Sequence, residues 1–285
     1  MDFGTLYLVA TPIGNLEDIT FRAVKILREV DLIAAEDTRH TRKLLSRFEI
    51  HTPLARYDEV TKIQNGEKIL QELLSGKNVA QVSDAGIPAI SDPGADLVKL
   101  AINSGINVCP IPGANAAISA LICSGLDTKN FFFAGFLPKS AKSRKDFLKK
   151  ISEREETLIF YESPRRLKKF LSEAMEIFGD RKISIAKEIT KIHENFFRGK
   201  ISEVEKFFVE EVKGEFVICV EGFSGEKNSE VEVEKNFLDF YKNLIALGID
   251  KKSALRQTAN KFNLSRREVY NAVIDIEKKF IEGEL

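Results

Sequence analysis

The segment from Gln81 to Gly94, which reads QVSDAGIPAISDPG, constrains the fold more than any other. An apolar strand expected over Asn78–Val82 runs directly into this loop, and Ala95–Asn103 has the apolar spacing of a helix. In open α/β sheets, loops at the carboxyl ends of strands bind ligands. Asp92-Pro93-Gly94 is typical of an ordinary turn with a helix cap. Ser83-Asp84-Ala85-Gly86 supplies more polar groups than a turn needs, and it predicts a ligand-binding loop.

Strands and helices are expected to alternate along the first half of the chain. The strands are expected at Leu6–Ala10, Leu32–Ala35, Pro53–Tyr57, Asn78–Val82 and Val108–Ile111. The helices are expected at Phe21–Val30, Thr41–Phe48, Ile63–Leu74, Ala95–Asn103 and Pro112–Ser124. This alternation indicates a doubly wound parallel α/β sheet with its loops gathered at one edge.

After another strand at Phe131–Ala134, the composition changes at Pro138 to the basic run Lys139–Lys150. We therefore place a domain boundary there and expect a second α/β unit. Its strands are expected at Thr157–Tyr161, Ile183–Ala186, Asn195–Arg198 and Phe216–Val220, and its helices at Pro164–Phe178 and Ile201–Val212. Because 285 residues are many for one core, the predicted domains are 1–137, 138–225 and 226–285.

The tail from about Val231 has a helical pattern throughout. Its apolar stripes are Phe237, Phe240, Tyr241 and Leu244, then Val269, Val273, Ile276 and Phe280. Ser265-Arg266-Arg267-Glu268 has capping-box spacing after a short turn, which is typical of a helix-turn-helix. The basic residues there are equally typical of the solvated face of a packing or dimerisation bundle, and the two interpretations stay open.

Composition excludes several functional classes. The 43 basic and 43 acidic residues cancel, so a polyanion would have to be met by local patches. The three cysteines, Cys109, Cys123 and Cys219, have no paired spacing and are expected to be buried, reduced thiols. No Cys/His cluster has metal spacing, no apolar run reaches the ~20 residues of a membrane helix, and no signal-peptide pattern opens the chain. We expect a cytoplasmic protein without metal or membrane.

The loop after the first strand has one glycine, Gly14, where a dinucleotide fingerprint has three. It also lacks the lysine of a phosphate-binding loop. A ligand without phosphates is therefore expected, because such a ligand needs close backbone approach but no anion cradle.

Six segments occur in order along the chain: LVATPIGNL (8–16), AAEDTRHT (34–41), VSDAGIP (82–88), FAGFLP (133–138), FYESPRR (160–166) and AKEITK (186–191). Together they closely resemble the ribosomal small-subunit RNA cytidine 2′-O-methyltransferase family, in the tetrapyrrole-methylase-like class of S-adenosylmethionine enzymes. The resemblance covers residues 5–222, and the tail is similar to the family's appended domain. The chain departs from the family pattern at Ala114-Asn115 and at His193, and these departures affect only the detailed contacts to a ligand.

The resemblance implies two α/β domains of the tetrapyrrole methylase type with S-adenosylmethionine in the cleft between them, followed by the helix-turn-helix-like domain. The implied cofactor-binding residues are Pro12, Ile13, Gly14, Ser83, Asp84, Ala85, Gly86, Ile87, Asn115, Ala116, Tyr161, Glu162 and Ser163. The implied partners are ribosomal RNA or the small ribosomal subunit, and a second copy of the chain. The sulfonium methyl supplies the reactivity, and the protein must aim a ribose 2′-hydroxyl at it.

Asp37 is the candidate catalytic base or hydroxyl acceptor, because it follows a strand end and matches an acidic position of related methylases. A cap of the next helix is almost as good an interpretation. Glu188 is the second candidate, as a residue that orients a ligand, and a buried ion pair is equally consistent with it.

Basic residues near these motifs are candidate contacts to RNA phosphates, with ordinary solvated charges as the alternative. They are Arg39, Arg42, Lys142, Arg144, Arg165, Arg166 and Arg266. Two rival functions stay open: a tetrapyrrole C-methyltransferase, which would not need these basic clusters, and an RNA-binding assembly factor whose cofactor pocket is vestigial.

Overall fold

The computed structural model describes residues 3–92, 94–208, 213–224, 240–262, 269, 270 and 273. The chain divides into two units, Met1–Phe223 and Ser224–Leu285. The first unit holds two five-stranded sheets, and the second is helical where it is described. The fold is therefore α/β with a helical tail, as the sequence predicts.

The first sheet is parallel throughout, with strand order β3-β2-β4-β1-β5. Its strands are β1 (Thr5–Val9), β2 (Leu32–Ala35), β3 (Leu54–Arg56), β4 (Val79–Val82) and β5 (Asn107–Ile111). The helices between and after them are α1 (Phe21–Glu29), α2 (Thr38–Arg47), α3 (Lys62–Leu74), α4 (Ala95–Asn103) and α5 (Ala116–Ile122). Separate apolar clusters cover the two faces, one with α1 and α2 and the other with α3 and α4. The doubly wound sheet is confirmed.

The second sheet is mixed, with order β6-β7-β10-β8-β9. Its strands are β6 (Phe131–Phe136), β7 (Thr157–Glu162), β8 (Lys182–Lys187), β9 (Asn195–Lys200) and β10 (Phe216–Val220), and its helices are α6 (Ala141–Ile151), α7 (Pro164–Phe178) and α8 (Ile201–Val204). β6 pairs with β7 in this second sheet, whereas the composition change at Pro138 left it with the first domain. The change comes late because the basic run begins only at Lys139, after β6 has ended at Phe136.

The helix expected at Ile201–Val212 was predicted too long. The α-helix ends at Val204 and a 3₁₀ turn follows at Glu205–Phe208, while residues 209–212 lie outside the described part. The rings of the consecutive Phe207 and Phe208 both contact Phe197, at centroid distances of 5.5 and 4.9 Å.

In the second unit, residues 240–246 are helical and α9 spans Lys251–Phe262. Four residues of the expected stripes, Tyr241, Leu244, Val269 and Val273, are buried in one cluster. The expected turn is Phe262-Asn263-Leu264, and the expected capping box after it is 265–268, which includes Arg266. Residues 263–268 lie outside the described part of the chain, so the choice between helix-turn-helix and packing bundle stays a prediction.

The cysteines were only partly predicted. Cys219 is buried, and burial raises the pKa of its thiol to about 12. Cys109 is half-buried and Cys123 is exposed, because Cys123 closes the short helix α5 at the surface. Within the described part of the chain, no helix is long and apolar enough to cross a membrane, and no group of three metal-ligating side chains occurs.

Candidate active site between the two sheets

The loops after β1, β4 and β5 meet at one place. The amide of Thr11 donates to the carbonyl of Gly86 at 2.9 Å, and the amide of Gly86 donates back at 3.1 Å. A Cβ on Gly86 would lie 3.3 Å from the Ile13 methyl Cγ2 and 3.7 Å from the Ala114 carbonyl. The three loops therefore join at the carboxyl edge of the parallel sheet, as the strand-loop-helix pattern predicts.

A cavity of about 470 Å³ opens beside these loops and is closed by the second sheet. Ten of the thirteen expected cofactor-binding residues line it: Ile13, Asp84, Ala85, Gly86, Ile87, Asn115, Ala116, Tyr161, Glu162 and Ser163. Loop residues of the parallel sheet thus face β7 residues across one space. Their role in cofactor binding remains a prediction.

The other three expected residues lie behind the lining. Ser83 is 2% exposed, and its carbonyl accepts the Thr11 hydroxyl at 3.2 Å. Gly14 packs against the second sheet's loop, where a Cβ would lie 2.5 Å from Lys191 Cγ. Pro12 precedes Ile13 without reaching the cavity. These three residues lie behind the cavity wall and do not line the cavity itself.

Backbone strain is concentrated around the cavity. Among the described residues, five non-glycine residues have positive φ, and four of them lie on two loops at this site: Ala89, Ser91, Glu188 and Thr190. Ser91 lines the cavity, as does Ile189 between the latter two. Residues in this region cost of order 1–3 kcal/mol each and occur mostly at functional sites.

The lining is acidic. It includes five carboxylates, Glu36, Asp84, Asp92, Glu162 and Glu215, and none of the described lining residues is Lys or Arg. Burial raises the pKa of Glu36, and repulsion from Asp92 and Asp84 adds to that rise. Burial likewise raises the pKa of Asp92, partly offset by a hydrogen bond from Ser83. Such a space favours a cation over a phosphate.

Glu162 has a buried oxygen that needs a donor. Its Oε1 accepts from the Ser163 amide at 2.8 Å and lies 3.3 Å from Arg166 Nε. Its Oε2 is buried with no hydrogen-bond partner within the described residues. Burial raises the pKa of this carboxyl, although Ser163 and Arg166 counteract the rise. An unpaired buried acceptor beside a cavity indicates a place for a ligand donor.

Tyr161 forms the aromatic wall opposite the loops. Its ring packs edge-on against Phe133 at 5.1 Å and against Phe136 at 5.5 Å. Burial raises the pKa of its hydroxyl, so the side chain is a neutral, half-buried surface. A flat apolar wall of this kind suits a heterocycle.

Asp37 caps α2 and lies outside the cavity lining. Its Oδ1 accepts from the Arg39 amide at 2.8 Å, and its Oδ2 pairs with the Arg39 guanidinium at 3.1 Å. The hydrogen bonds from Arg39 lower its pKa to about 2. A carboxylate held this way is a weak base, so the geometry favours the capping interpretation.

If Asp37 is a cap, its variants should change stability in a graded way. Asp37→Ala should lower the Tm by about 2–4 °C, and Asp37→Asn should lower it less because asparagine also caps helices. The pKa of Asp37 is depressed, so its charge stabilises the fold above about pH 4. The difference between wild type and Asp37→Asn should therefore shrink as the pH falls from 4 towards 2. Thermal unfolding followed by circular dichroism measures both; equal Tm values for all three proteins would contradict the cap.

Glu188 is a scaffold residue beside the rim. It accepts from Lys191 Nζ at 2.9 Å and from the Glu215 amide at 2.8 Å. Burial alone would raise its pKa, but these hydrogen bonds outweigh burial and lower it. Because Glu215 lines the cavity and Glu188 does not, Glu188 fixes the segment that forms the wall. The alternative was a buried ion pair; the pair with Lys191 is present, but the two side chains stay 30% and 20% exposed.

Two of the candidate RNA contacts are bound to groups of the protein itself. Arg144 is 4% exposed and binds Glu173 through two hydrogen bonds of 2.5 and 2.8 Å. Arg166 donates to the carbonyls of Leu137 and Pro138 and pairs with Glu162. Both cations are engaged inside the second sheet's domain. Four other candidates are exposed: Arg39, Arg42, Lys142 and Arg165.

Sequence reasoning missed the carboxylates Glu36 and Asp92, which both line the cavity. Glu36 precedes Asp37, and only one of the two could cap α2. Aspartate is a preferred helix cap, and glutamate is not. The sequence could therefore have assigned the cap to Asp37 and the cavity to Glu36. Asp92 was assigned to the cap of α4, but the cap residue of that helix is Gly94.

Comparisons with known proteins agree with this architecture. Residues 5–205 match the family model described as Tetrapyrrole (Corrin/Porphyrin) Methylases. Among solved structures, a uroporphyrin-III-C-methyltransferase from Thermus thermophilus has TM-score 0.54 at 17% identity, covering 76% of this chain and 92% of that one. A diphthine synthase has TM-score 0.59 at 13% identity, covering 77% and 90%. These likenesses show the fold.

Curated relatives are much closer in sequence. Proteins named ribosomal RNA small subunit methyltransferase I are 50% identical in Halalkalibacterium halodurans and in Bacillus subtilis, each covering 95% of this chain and 94% of the relative. The protein of that name in Synechocystis is 44% identical, covering 96% and 99%. The chain therefore belongs to the tetrapyrrole methylase family, and within it to the group that carries the name ribosomal RNA small subunit methyltransferase I.

Proposed function

We propose that this chain transfers a methyl group from S-adenosylmethionine to the ribose 2′-oxygen of a cytidine in 16S ribosomal RNA. The observation that carries the proposal is the acidic cavity between the two sheets, lined by five carboxylates and, among the described residues, by no Lys or Arg. The relatives named ribosomal RNA small subunit methyltransferase I support the choice of substrate.

The residues of the cavity fit this cofactor. S-adenosylmethionine carries a sulfonium and an ammonium against one carboxylate, so it is a net cation and contains no phosphate. Asp84 and Asp92 supply negative charge, and the buried Glu162 Oε2 supplies an acceptor for an ammonium or hydroxyl. Tyr161 offers a flat wall for the adenine. Bound there, the cofactor supplies an electrophilic methyl.

The substrate reaches the cavity as an unstacked nucleotide. Sequence-specific RNA recognition uses unpaired bases that can be splayed out, and exposed basic side chains hold the flanking phosphates. We propose Arg39, Arg42, Lys142 and Arg165 as those contacts, because all four are exposed on the first unit. Arg39 stays 86% exposed although it pairs with Asp37.

A tetrapyrrole substrate suits the site less well. A small macrocycle does not need the four exposed basic residues proposed above as phosphate contacts, whereas an RNA does. The structural neighbour that methylates uroporphyrin is only 17% identical, which argues for a shared fold alone.

Methyl transfer from tritiated cofactor tests the proposal. Wild-type protein is incubated separately with 16S RNA, with small ribosomal subunits and with uroporphyrinogen, and labelled RNA is digested and mapped by mass spectrometry. We expect label on one ribose of a cytidine, with RNA or subunit as the acceptor. Label on the porphyrinoid alone would overturn the substrate. No transfer to any acceptor, together with no binding of the cofactor at millimolar concentrations in calorimetry, would favour the assembly factor.

A homodimer in the cytoplasm completes the proposal. The resemblance implies the dimer, and ribosomal subunits are assembled in the cytoplasm. Light scattering on the full chain tests the oligomeric state: a mass near 64 kDa, twice 32.1 kDa, supports the dimer, and 32.1 kDa would contradict it.

A further inference from the structure

The position of Glu36 is fixed by strand pairing. Ala35, the last residue of β2, pairs in register with Val82, the last residue of β4. Glu36 therefore begins its loop beside Ser83, at the start of the predicted ligand loop. Residues 33–35 of β2 are buried within the sheet, and Glu36 is the first side chain after this strand to line the cavity.

A hydrogen bond between the two loops lies beside this carboxylate. The amide of Asp37 donates to Asp84 Oδ1 at 3.1 Å. The amide of Asp84 in turn interacts with the Glu36 carboxylate and partly offsets the rise in its pKa. The hydrogen bond from the Asp37 amide to Asp84 thus joins the two loops directly beside Glu36. Glu36 is consequently held against the cavity wall, as a group that acts on a reacting atom must be.

We propose that Glu36 is the catalytic base that accepts the proton of the ribose 2′-hydroxyl. The assignment rests on the proposed function. As the 2′-oxygen attacks, the new O–CH₃ bond forms, the S–CH₃ bond breaks with its electron pair left on sulfur, and the hydroxyl proton moves to the Glu36 carboxylate. The products are the 2′-O-methyl ribose, neutral S-adenosylhomocysteine and protonated Glu36.

The neighbouring carboxylates are less suited to this role. Asp37 lies outside the cavity and is paired with Arg39. The Asp37 amide binds Asp84 Oδ1 at 3.1 Å. Asp92 accepts a hydrogen bond from the Ser83 side chain, whereas no side-chain donor binds the Glu36 carboxylate within the described residues. Burial raises the pKa of Glu36, with Asp92, Asp84 and Asp58 as the acidic neighbours that add to it. A carboxylate with a raised pKa is a stronger proton acceptor, and general-base help of this kind is worth ~10²–10⁴-fold.

The test compares Glu36→Gln, Glu36→Asp and Asp37→Asn with wild type in single-turnover methylation of 16S RNA or small subunits. Affinity for S-adenosylhomocysteine, measured by calorimetry, reports whether the cavity is intact. We expect Glu36→Gln to bind this neutral product within about threefold of wild type and to transfer methyl about 100-fold more slowly. Glu36→Asp, which keeps a carboxylate one methylene shorter, should recover part of the rate.

A pH profile separates a base from a merely structural residue. The wild-type rate of methyl transfer should fall as the pH drops towards the raised pKa of Glu36. This decrease at low pH should be absent in Glu36→Gln. Asp84, Asp92, Glu162 and Glu215 line the same cavity, and Asp58 is a more remote acidic neighbour of Glu36. All five are unchanged in both proteins, so a decrease that persists in Glu36→Gln does not come from Glu36.

The outcomes distinguish the two proposals. An active wild type with an equally active Glu36→Gln would overturn the base assignment and leave the proposed function standing. A slow Asp37→Asn beside a fast Glu36→Gln would return the role to Asp37. A wild type that transfers no methyl to RNA would overturn the proposed function and the base together.

Discussion

Gly86→Ala should lower the rate of methyl transfer about 100-fold, the effect expected when a reacting centre is displaced by about 1 Å. Gly86 has φ of +81°, and its amide and carbonyl both bind Thr11. An added methyl would sit 3.3 Å from Ile13 Cγ2, inside the lining of the cavity. The Ile13 side chain must therefore shift by a few tenths of an ångström, and the strained backbone at position 86 alters the loop that lines the space proposed for the cofactor. Calorimetry with S-adenosylhomocysteine should show weaker binding alongside the slower turnover.

Gly105→Ala is the matched control for this experiment. Gly105 has φ of +73°, and a Cβ there would have no neighbour within 4 Å among the described residues. Both variants incur the backbone cost of a left-handed alanine, about 1–2 kcal/mol, but only one alters the cavity. We expect similar losses in Tm and a loss of product binding in Gly86→Ala alone. Equal binding by both variants would show that the three loops do not shape a cofactor site.

Most of the fold could be predicted because its local signals agree with one another. Continuous apolar runs gave the buried parallel strands, and the bounds of β2, α4, α7 and β10 match the structure. The errors occur where tertiary contacts decide. β6 joined the second sheet through pairing with β7, which composition does not encode. The α-helix ends at Val204, and the turn after it carries Phe207 and Phe208 onto Phe197 of a neighbouring strand, a contact that the local pattern does not show.

The site was predicted less completely, since strand ends place a loop more reliably than they orient its side chains. Glu36 and Asp37 follow the same strand, and α2 begins so that Asp37 caps it. Neighbouring residues then point in different directions, and only Glu36 reaches the cavity. Arg144 shows the same limit on a helix. It was grouped with solvated charges, although Arg144, Leu148 and Ile151 recur at helical spacing on the buried face of α6.

Arg144→Ala should therefore destabilise the first unit by about 3–5 kcal/mol, the usual cost of leaving one partner of a buried ion pair alone. The side chains of Arg144 and Glu173 are 5% and 6% exposed. Arg144 also donates to the carbonyl of Lys139 at 3.2 Å, which ties the start of α6 to the pair. The chain contains no tryptophan, so urea unfolding is best followed by circular dichroism. Lys142→Ala, two residues earlier on the exposed face of α6, should change stability little and instead weaken RNA binding.

The double variant Arg144→Ala/Glu173→Ala decides why the single one is unstable. The stability lost in Arg144→Ala is expected to come from the isolated charge left on Glu173. Removing that charge should then restore part of the stability. The loss in the free energy of unfolding for the double variant should therefore be smaller than the sum of the losses for the two single variants. Strict additivity would mean that the two side chains contribute packing independently. If Arg144→Ala were as stable as wild type but bound RNA less tightly, then Arg144 would be an RNA contact and not the partner of Glu173. The two roles exclude each other, because a guanidinium cannot be both buried against a carboxylate and available to a phosphate.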